Sequence, residues 1–330
     1  MLTFGSLFTG IGGIDLGFEQ AGMKCAWQCE KNRQARHVLA THWPDVPCYE
    51  DVFDVTNNNV PSVDVICGGF PCQDVSFAGK RAGLAGERSG LWFEFHRIIE
   101  EFAPQWVVVE NVPGLLSSNR GADFYTVVRG MVEWGYGVSW RVLDAQYFGV
   151  AQRRRRVFIV GSLGNGRSAE ILFEREGMFG HPPARRTQGE GVTYDVAPSL
   201  TASGSGTASA GNRSGQDPVI AQVLAGSAAF GGGNTKGEID IATTLNASSQ
   251  RYDFESETLV QSMLGVRRLT PVECERLQGF PDGWTSGQSD STRYRQLGNA
   301  VAVPVARWIG ARIDGSAALT SYCIPNTQFT

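Results

Sequence analysis

Apolar positions along the first 160 residues fall into two alternating rhythms. Short strand-like runs cover Thr3–Phe8, Lys24–Cys29, Asp64–Cys67, Trp106–Val109, Val138–Leu143 and Val157–Val160. Between them, Ile14–Ala21, Arg33–His42, Leu91–Phe102 and Phe124–Trp134 carry apolar residues three and four positions apart, the spacing of one helix face. This alternation predicts an α/β domain: a mostly parallel, doubly wound sheet with helices on both faces, because each crossover helix must pack back onto the sheet it leaves. Ligands of such sheets lie at the carboxyl ends of the strands.

The rhythm stops near Gly164. The stretches SLTASGSGTASAGNRSG (199–215) and AGSAAFGGGNTKG (225–237) are too rich in small and turn-forming residues to build a core. Short β-like pieces at Val219–Leu224, Ile239–Leu245 and Thr258–Val260 interrupt them, which predicts a small, loop-rich β domain rather than a bare linker. Helical patterning returns in RRLTPVECERLQGFPDGW (267–284), with Thr270 as N-cap and Pro271 at the first helical position, and in YRQLGNAVAVPVARWIGARI (294–313). The chain therefore leaves its large domain, makes an insertion and comes back. The expected divisions are 1–163, 164–265, 266–313 and a tail 314–330.

Composition narrows the class. With 330 residues and 42% hydrophobic content the chain can bury a large core. No run of 18 apolar residues and no basic, apolar leader at the N-terminus appear, so a cytoplasmic location away from membranes is expected. Seven cysteines, an odd number without paired CxxC motifs, suggest neither a disulfide framework nor a zinc site, and no metal is expected. A special cysteine here would be special for its thiolate. A net charge of −4 argues against coating nucleic acid by bulk electrostatics and leaves room for a local basic groove.

Four stretches carry candidate chemistry, each beside a predicted strand. FTGIGG (8–13) follows the first strand and opens a helix, so its glycines let the backbone approach a ligand at a helix N-terminus. It departs from the dinucleotide fingerprint by placing Asp15–Leu16 where a last glycine would fall, while Glu30 ends the next strand about 20 residues on, where an acid can hold ribose hydroxyls. A nucleoside cofactor other than a plain dinucleotide is expected. GGFPCQDVSFAG (68–79) sets Cys72 in a glycine-bounded turn just past a strand. VVVENVPG (107–114) puts Glu110 after three valines, where desolvation raises a carboxyl pKa and suits it to donate a proton. QRRRRVFIVG (152–161) runs four arginines into a strand, and alternation sends Arg154 and Arg156 to one side, Arg153 and Arg155 to the other.

Taken in order, FxGxGG, Pro-Cys-Gln, Glu-Asn-Val, Gln-Arg-Arg-x-Arg, Arg-x-Leu-Thr-x-x-Glu and Gly-Asn-Ala-Val resemble the cytosine-C5 DNA methyltransferase family of restriction–modification systems. The resemblance runs from Leu2 to about Ile313, with 164–265 in the position of that family's variable target-recognition domain. It implies a Rossmann-like, S-adenosylmethionine-dependent sheet acting on cytosine in a specific short sequence of double-stranded DNA. By the same resemblance Cys72 is the nucleophile, Glu110 contacts N3 of the base, and Arg154 and Arg156 hold the cytosine and orient the loop. The methyl donor would be held by Phe8, Gly10, Gly12, Glu30, Asp51 and Leu91, with Asn299 and Val301 closing the pocket. Where the family usually shows an apolar or aromatic residue against the adenine, this chain has Lys31, whose stem can substitute.

The implied chemistry accounts for the residue types. C5 of cytosine is a poor nucleophile until a thiolate adds at C6, and none of these atoms can be reached in a stacked duplex, so the base must be flipped out. Gly68, Gly69 and Gly79 would let the Cys72 loop close over it. Seven basic against eleven acidic side chains leave the insertion 164–265 itself at −4, so phosphate contacts are expected from Arg267, Arg268 and loop amides. Two passages in it, APSLTASGSG (197–206) and ATTLNASSQRYD (242–253), share a Thr/Ser-Leu core and resemble the family's base-reading loops. A monomer is expected, with no obligate protein partner but a cognate endonuclease in the cell. The nearest alternatives are a tRNA cytosine methyltransferase, disfavoured because no cysteine lies between Cys72 and Cys274, and a catalytically inactive DNA-binding relative, disfavoured because Cys72 and Glu110 are both present. A nicotinamide oxidoreductase rests on the glycine loop alone and is contradicted by Asp15–Leu16.

Overall fold

The computed structural model describes residues 1–71, 90–164, 166–173, 242, 258–262 and 265–315, together with the short strand 228–231. Seven strands form one sheet: β1 (Thr3–Leu7), β2 (Lys24–Cys29), β3 (Cys48–Tyr49), β4 (Val65–Gly68), β5 (Trp106–Asn111), β6 (Tyr136–Asp144) and β7 (Arg155–Leu163). Their order is β3-β2-β1-β4-β5-β7-β6. The first five strands are parallel, and β7 runs antiparallel to both β5 and β6. The order reverses between β1 and β4, which opens a crevice at their carboxyl ends.

Helices cover both faces, and the sequence shows why both must be covered. Along β5, Val107 and Val109 point into one buried cluster with Trp27, Phe95, Ile98 and Ile159, while Val108 points into the other with Phe4, Phe18, Val160 and Ile309. A strand apolar on both sides needs a layer on each. The helices α1 (Gly13–Gln20), α2 (Arg33–His42), α3 (Leu91–Phe102) and α4 (Ala122–Glu133) lie close to their predicted spans, and α5 (Ser168–Leu172) follows β7. No helix among the described residues is long and apolar enough to cross a membrane.

Three expectations change on contact with the structure. The strands predicted as Trp106–Val109 and Val157–Val160 are longer, so Glu110 and Asn111 are the last residues of β5 and Arg155 and Arg156 the first of β7. The helical patterning read over 294–313 belongs to two helices, α7 (Asp290–Asn299), which starts earlier, and α8 (Val303–Asp314), preceded by α6 (Pro271–Gln278); the break falls at Ala300–Ala302, and Pro304 in the first turn of α8 has no N–H to continue a helix from before it. The third concerns the strands expected beyond Gly164: Thr258–Val260 is met within β9 (Thr258–Ser262), and it pairs antiparallel with two strands that were not expected, β8 (Ala228–Gly231) and β10 (Gly265–Arg268), in the order β10-β9-β8. Strand β8 lies in a stretch that reads as coreless, and β10 straddles the expected division at 265. Val219–Leu224 lies outside the described residues, as does Ile239–Leu245 apart from Ala242.

The return segment is tied firmly into the large domain. Thr270 caps α6 through a capping box with Glu273, as its position before Pro271 predicts. Helix α8 lies against α1 so closely that a Cβ on Gly17 would stand 2.6 Å from the Ala306 methyl, which is why glycine is found there. The first and last helices of the described chain are thus neighbours.

Candidate active site

The crevice at the carboxyl ends of the parallel strands holds a cavity of about 560 Å³. At one end of it, the turn after β1 is set by three residues with positive φ, Phe8 (53°), Gly10 (61°) and Gly12 (82°). For Phe8 this is a costly conformation, held by its ring stacking on Phe95 at 6.4 Å. The turn brings the Gly10 N–H to the end of β2, where it donates to Glu30 Oε2 at 2.7 Å; the Asn32 N–H donates to Glu30 Oε1 at 2.7 Å. Each carboxylate oxygen therefore keeps a further lone pair free to accept from a ligand. Past β3, Asp51 accepts from the Phe53 N–H at 3.3 Å and from Lys31 Nζ at 3.1 Å.

At the other end stands Glu110. Because β7 is antiparallel to β5, its first residues, and not its last, arrive at the carboxyl edge. Glu110 is paired with Phe158, so Arg156, two residues earlier on β7, lies diagonally across on the same face. Its Nε is 3.0 Å from Glu110 Oε1. Burial of the Glu110 carboxyl pushes its pKa up, and the charges of Arg156 and Arg154 oppose the shift without cancelling it. Arg154 is 2% exposed and donates from Nη2 to the Gly298 carbonyl oxygen at 3.0 Å; burial, reinforced by the like charge of Arg156, lowers its pKa to about 9.

The chain between β4 and Cys72 is drawn to the same point. Asn111 donates from Nδ2 to the Phe70 carbonyl at 2.8 Å, and Gly69 passes so near Glu110 that a Cβ would lie 2.6 Å from Oε2. Phe70 and Pro71 line the cavity, and Cys72, the next residue, lies outside the described residues, as does Gly79.

Of the residues expected from the sequence, Phe8, Gly10, Glu30, Asp51, Leu91, Asn299, Glu110 and Arg156 line this one cavity. Gly12, Val301 and Arg154 do not line it: Gly12 caps α1, Val301 is buried in the core, and Arg154 lies behind the wall. The sequence reading passed over Asn111, although it named the Glu-Asn-Val motif, and over Thr292, Arg295 and Gln296, which reach the cavity from α7. Thr292 lies before the expected helical stretch, which the structure starts four residues earlier, while Arg295 and Gln296 stand inside that stretch with no motif to single them out.

The arrangement suits a nucleoside cofactor at the β1–β2–β3 end. The donor set there is an anionic acceptor on the second strand, an aspartate beyond it and a glycine turn; a Cβ on Gly10 would meet nothing within 4 Å, so the turn leaves its side of the cavity open. Glu110, Arg156 and the turn leading to Cys72 stand at the far end of the same cavity, placed to act on a second reactant.

The profile of the family described as C-5 cytosine-specific DNA methylase matches residues 2–315. The chain is 32% identical over 308 residues to the type II methyltransferase M.BsuFI of Bacillus subtilis, covering 93% of this chain and 71% of that protein. It is 32% identical to the type II methyltransferase M.NlaX of Neisseria lactamica, covering 96% of this chain and 97% of that one. Among solved structures, the Dnmt2 methyltransferase of S. pombe superposes with a TM-score of 0.61 at 16% identity, over 96% of this chain and 100% of that chain, a likeness of fold. On the profile match and these identities, the chain belongs to the C-5 cytosine-specific DNA methylase family.

Proposed function

We propose that the protein methylates C5 of cytosine in a specific short sequence of double-stranded DNA, working as a monomer in the cytoplasm within, or derived from, a type II restriction–modification system. The observation that carries this reading is the buried Glu110 carboxyl, held by Arg156 beside the turn that leads into Cys72, at one end of a cavity whose other end suits a nucleoside. Phe8, Gly10, Glu30, Asp51, Leu91 and Asn299 hold S-adenosylmethionine, with Gly12 and Val301 shaping the turn and the wall from behind. When bound, that group supplies an electrophilic methyl.

The protein's own part is to make the cytosine carbon reactive. Cys72, as the thiolate, adds to C6 of a base flipped out of the duplex, which gives C5 the character of an enamine carbon. Charge that gathers on the ring is offset at N3 by a proton held on Glu110, whose raised pKa keeps it available, while Arg156 fixes the carboxyl in place. Arg154, held by the Gly298 carbonyl, backs the wall on which Glu110 and Arg156 stand.

Transfer of a labelled methyl group from S-adenosylmethionine to duplex DNA, RNA or neither tests the reading directly. Cys72→Ser is expected to abolish transfer while cofactor binding stays within a few-fold, and retained turnover would sink the nucleophile assignment. Glu110→Gln is expected to slow single-turnover transfer by about 10²-fold or more, the usual scale for a positioned acid; an unchanged rate removes Glu110 from the chemistry.

A further inference from the structure

Glu275, on α6, is a fully buried carboxyl that the proposed chemistry does not use. Both of its oxygens are occupied. Oε2 accepts from the Gly283 N–H at 2.7 Å. Oε1 accepts from the Thr285 N–H at 2.8 Å, from Thr285 Oγ1 at 2.5 Å and from Arg293 Nη2 at 3.0 Å, while Arg293 Nε donates to Thr285 Oγ1 at 2.9 Å. Burial alone would raise the pKa of Glu275; the bonds from Thr285, Arg293 and Gly283 outweigh it and hold the carboxyl below the ordinary glutamate value. Charges taken out of water return little net stability even when well paired, so stability alone does not account for this one.

Two walls of the cavity are fastened to it. The first is the glycine turn. Gly283 and Thr285 flank Trp284, whose indole Nε1 donates to the Ile11 carbonyl at 2.9 Å, between the positive-φ residues Gly10 and Gly12. Trp284 also stacks on His42, the last residue of α2, with ring centroids 3.5 Å apart and planes 2° from parallel. The second wall is α7. Thr292, Arg295, Gln296 and Asn299 line the cavity, and their i, i+3, i+4, i+7 spacing is one face of that helix. Arg293 stands beside that face in the first turn, next to Thr292, so its bond to Glu275 fixes how the turn is rotated about the helix axis. The far end of α7 is held separately, by Gln278 Nε2 on the Leu297 carbonyl at 2.8 Å.

We propose that Glu275 is a positioning residue for the cofactor: through Trp284 and through Arg293 it sets the glycine turn and α7 relative to each other, and so the fit of the nucleoside end of the cavity. The inference rests on the cofactor assignment made above. Glu275 lines no part of the cavity, so it acts on affinity for the cofactor rather than on the chemical step.

The test measures binding of S-adenosylmethionine by calorimetry and methyl transfer to plasmid DNA, in the whole protein and well below the melting temperature of each variant. Glu275→Gln is expected to weaken cofactor binding about 10-fold, to raise the KM for the cofactor in step and to leave kcat within about threefold. The substitution strands the Arg293 charge in the interior, so it also lowers the melting temperature. Adding Arg293→Met removes that charge: the melting temperature is expected to recover while the weakened affinity does not, a split that a purely structural role does not produce. Trp284→Phe keeps a ring on His42 but loses the N–H to Ile11, and it is expected to weaken cofactor binding about fivefold, the scale of one hydrogen bond. Unchanged cofactor affinity in the double variant, or affinity that recovers together with the melting temperature, overturns the inference. Where the Glu275 variants do not fold, unchanged affinity in Trp284→Phe overturns it. A wild type that binds no S-adenosylmethionine overturns the cofactor assignment instead, so the two failures are told apart.

Discussion

A single carboxyl shows how far residue identity alone could be read. Asp15 marked the departure of the glycine turn from the dinucleotide pattern, but the sequence could not say where its side chain goes. It is fully buried on α1, accepting from Ser6 Oγ at 3.0 Å and Gln28 Nε2 at 2.9 Å, beneath the turn that presents Gly10. Burial raises its pKa from 3.8 to about 6. A folded value above the unfolded one means that the folded state favours the protonated form, so this residue's contribution to stability is full below about pH 4 and is lost as pH climbs through 6. Asp15→Asn stays neutral throughout, and its amide can donate to the Gln28 oxygen, which has no partner. The variant is therefore expected to gain on the wild type by roughly 2 kcal/mol between about pH 4.5 and pH 8 in denaturant unfolding; a difference that does not vary with pH would show that Asp15 is ionised without penalty. Glu110 was legible because three valines before it announce an apolar sheet. Asp15 was not, because its partners Ser6 and Gln28 lie on β1 and β2, and two helical turns do not say which face of α1 turns to the sheet.

At the scale of elements, helix and strand existence followed from period, and what period cannot carry is direction. Six of the seven strands of the main sheet show as apolar runs, and only the two-residue β3 is too short to show a pattern. Nothing in RRRRVFIVG says that its strand runs against its neighbours, and that reversal is what turns a charge run into a site: it brings Arg156 to Glu110. The same junction makes a test at Gly69. An added methyl there would lie 2.6 Å from Glu110 Oε2, the end of a side chain that can swing away, rather than against backbone. Gly69→Ala is expected to leave the melting temperature within a few degrees but to cut single-turnover methylation about 10-fold or more, through a displaced Glu110. An equally active alanine variant would mean that the carboxyl tolerates displacement and that its position is not critical.

For the whole molecule, the sequence predicted that the chain leaves the sheet and returns, and the proposed reading of DNA by the inserted part rests on its composition alone. Exchange of residues 164–265 for the corresponding segment of a relative of known specificity tests that division: the 5-methylcytosine pattern on a plasmid is expected to follow the inserted segment, and a chimera that keeps the recipient's target places recognition elsewhere. The return also sets a limit in time. The Gly298 carbonyl that holds Arg154, the Asn299 wall of the cavity and the α8 surface under Gly17 all belong to the last stretch of the described chain to leave the ribosome. A nascent chain that has already made the glycine turn, Cys72, Glu110 and the arginines still lacks one wall of its pocket and the partner of a buried guanidinium. A polypeptide abandoned before Pro271 is therefore expected to be inactive, so that synthesis itself would withhold modification of the genome until the catalytic fold is complete; methyl transfer by a fragment ending there would refute this.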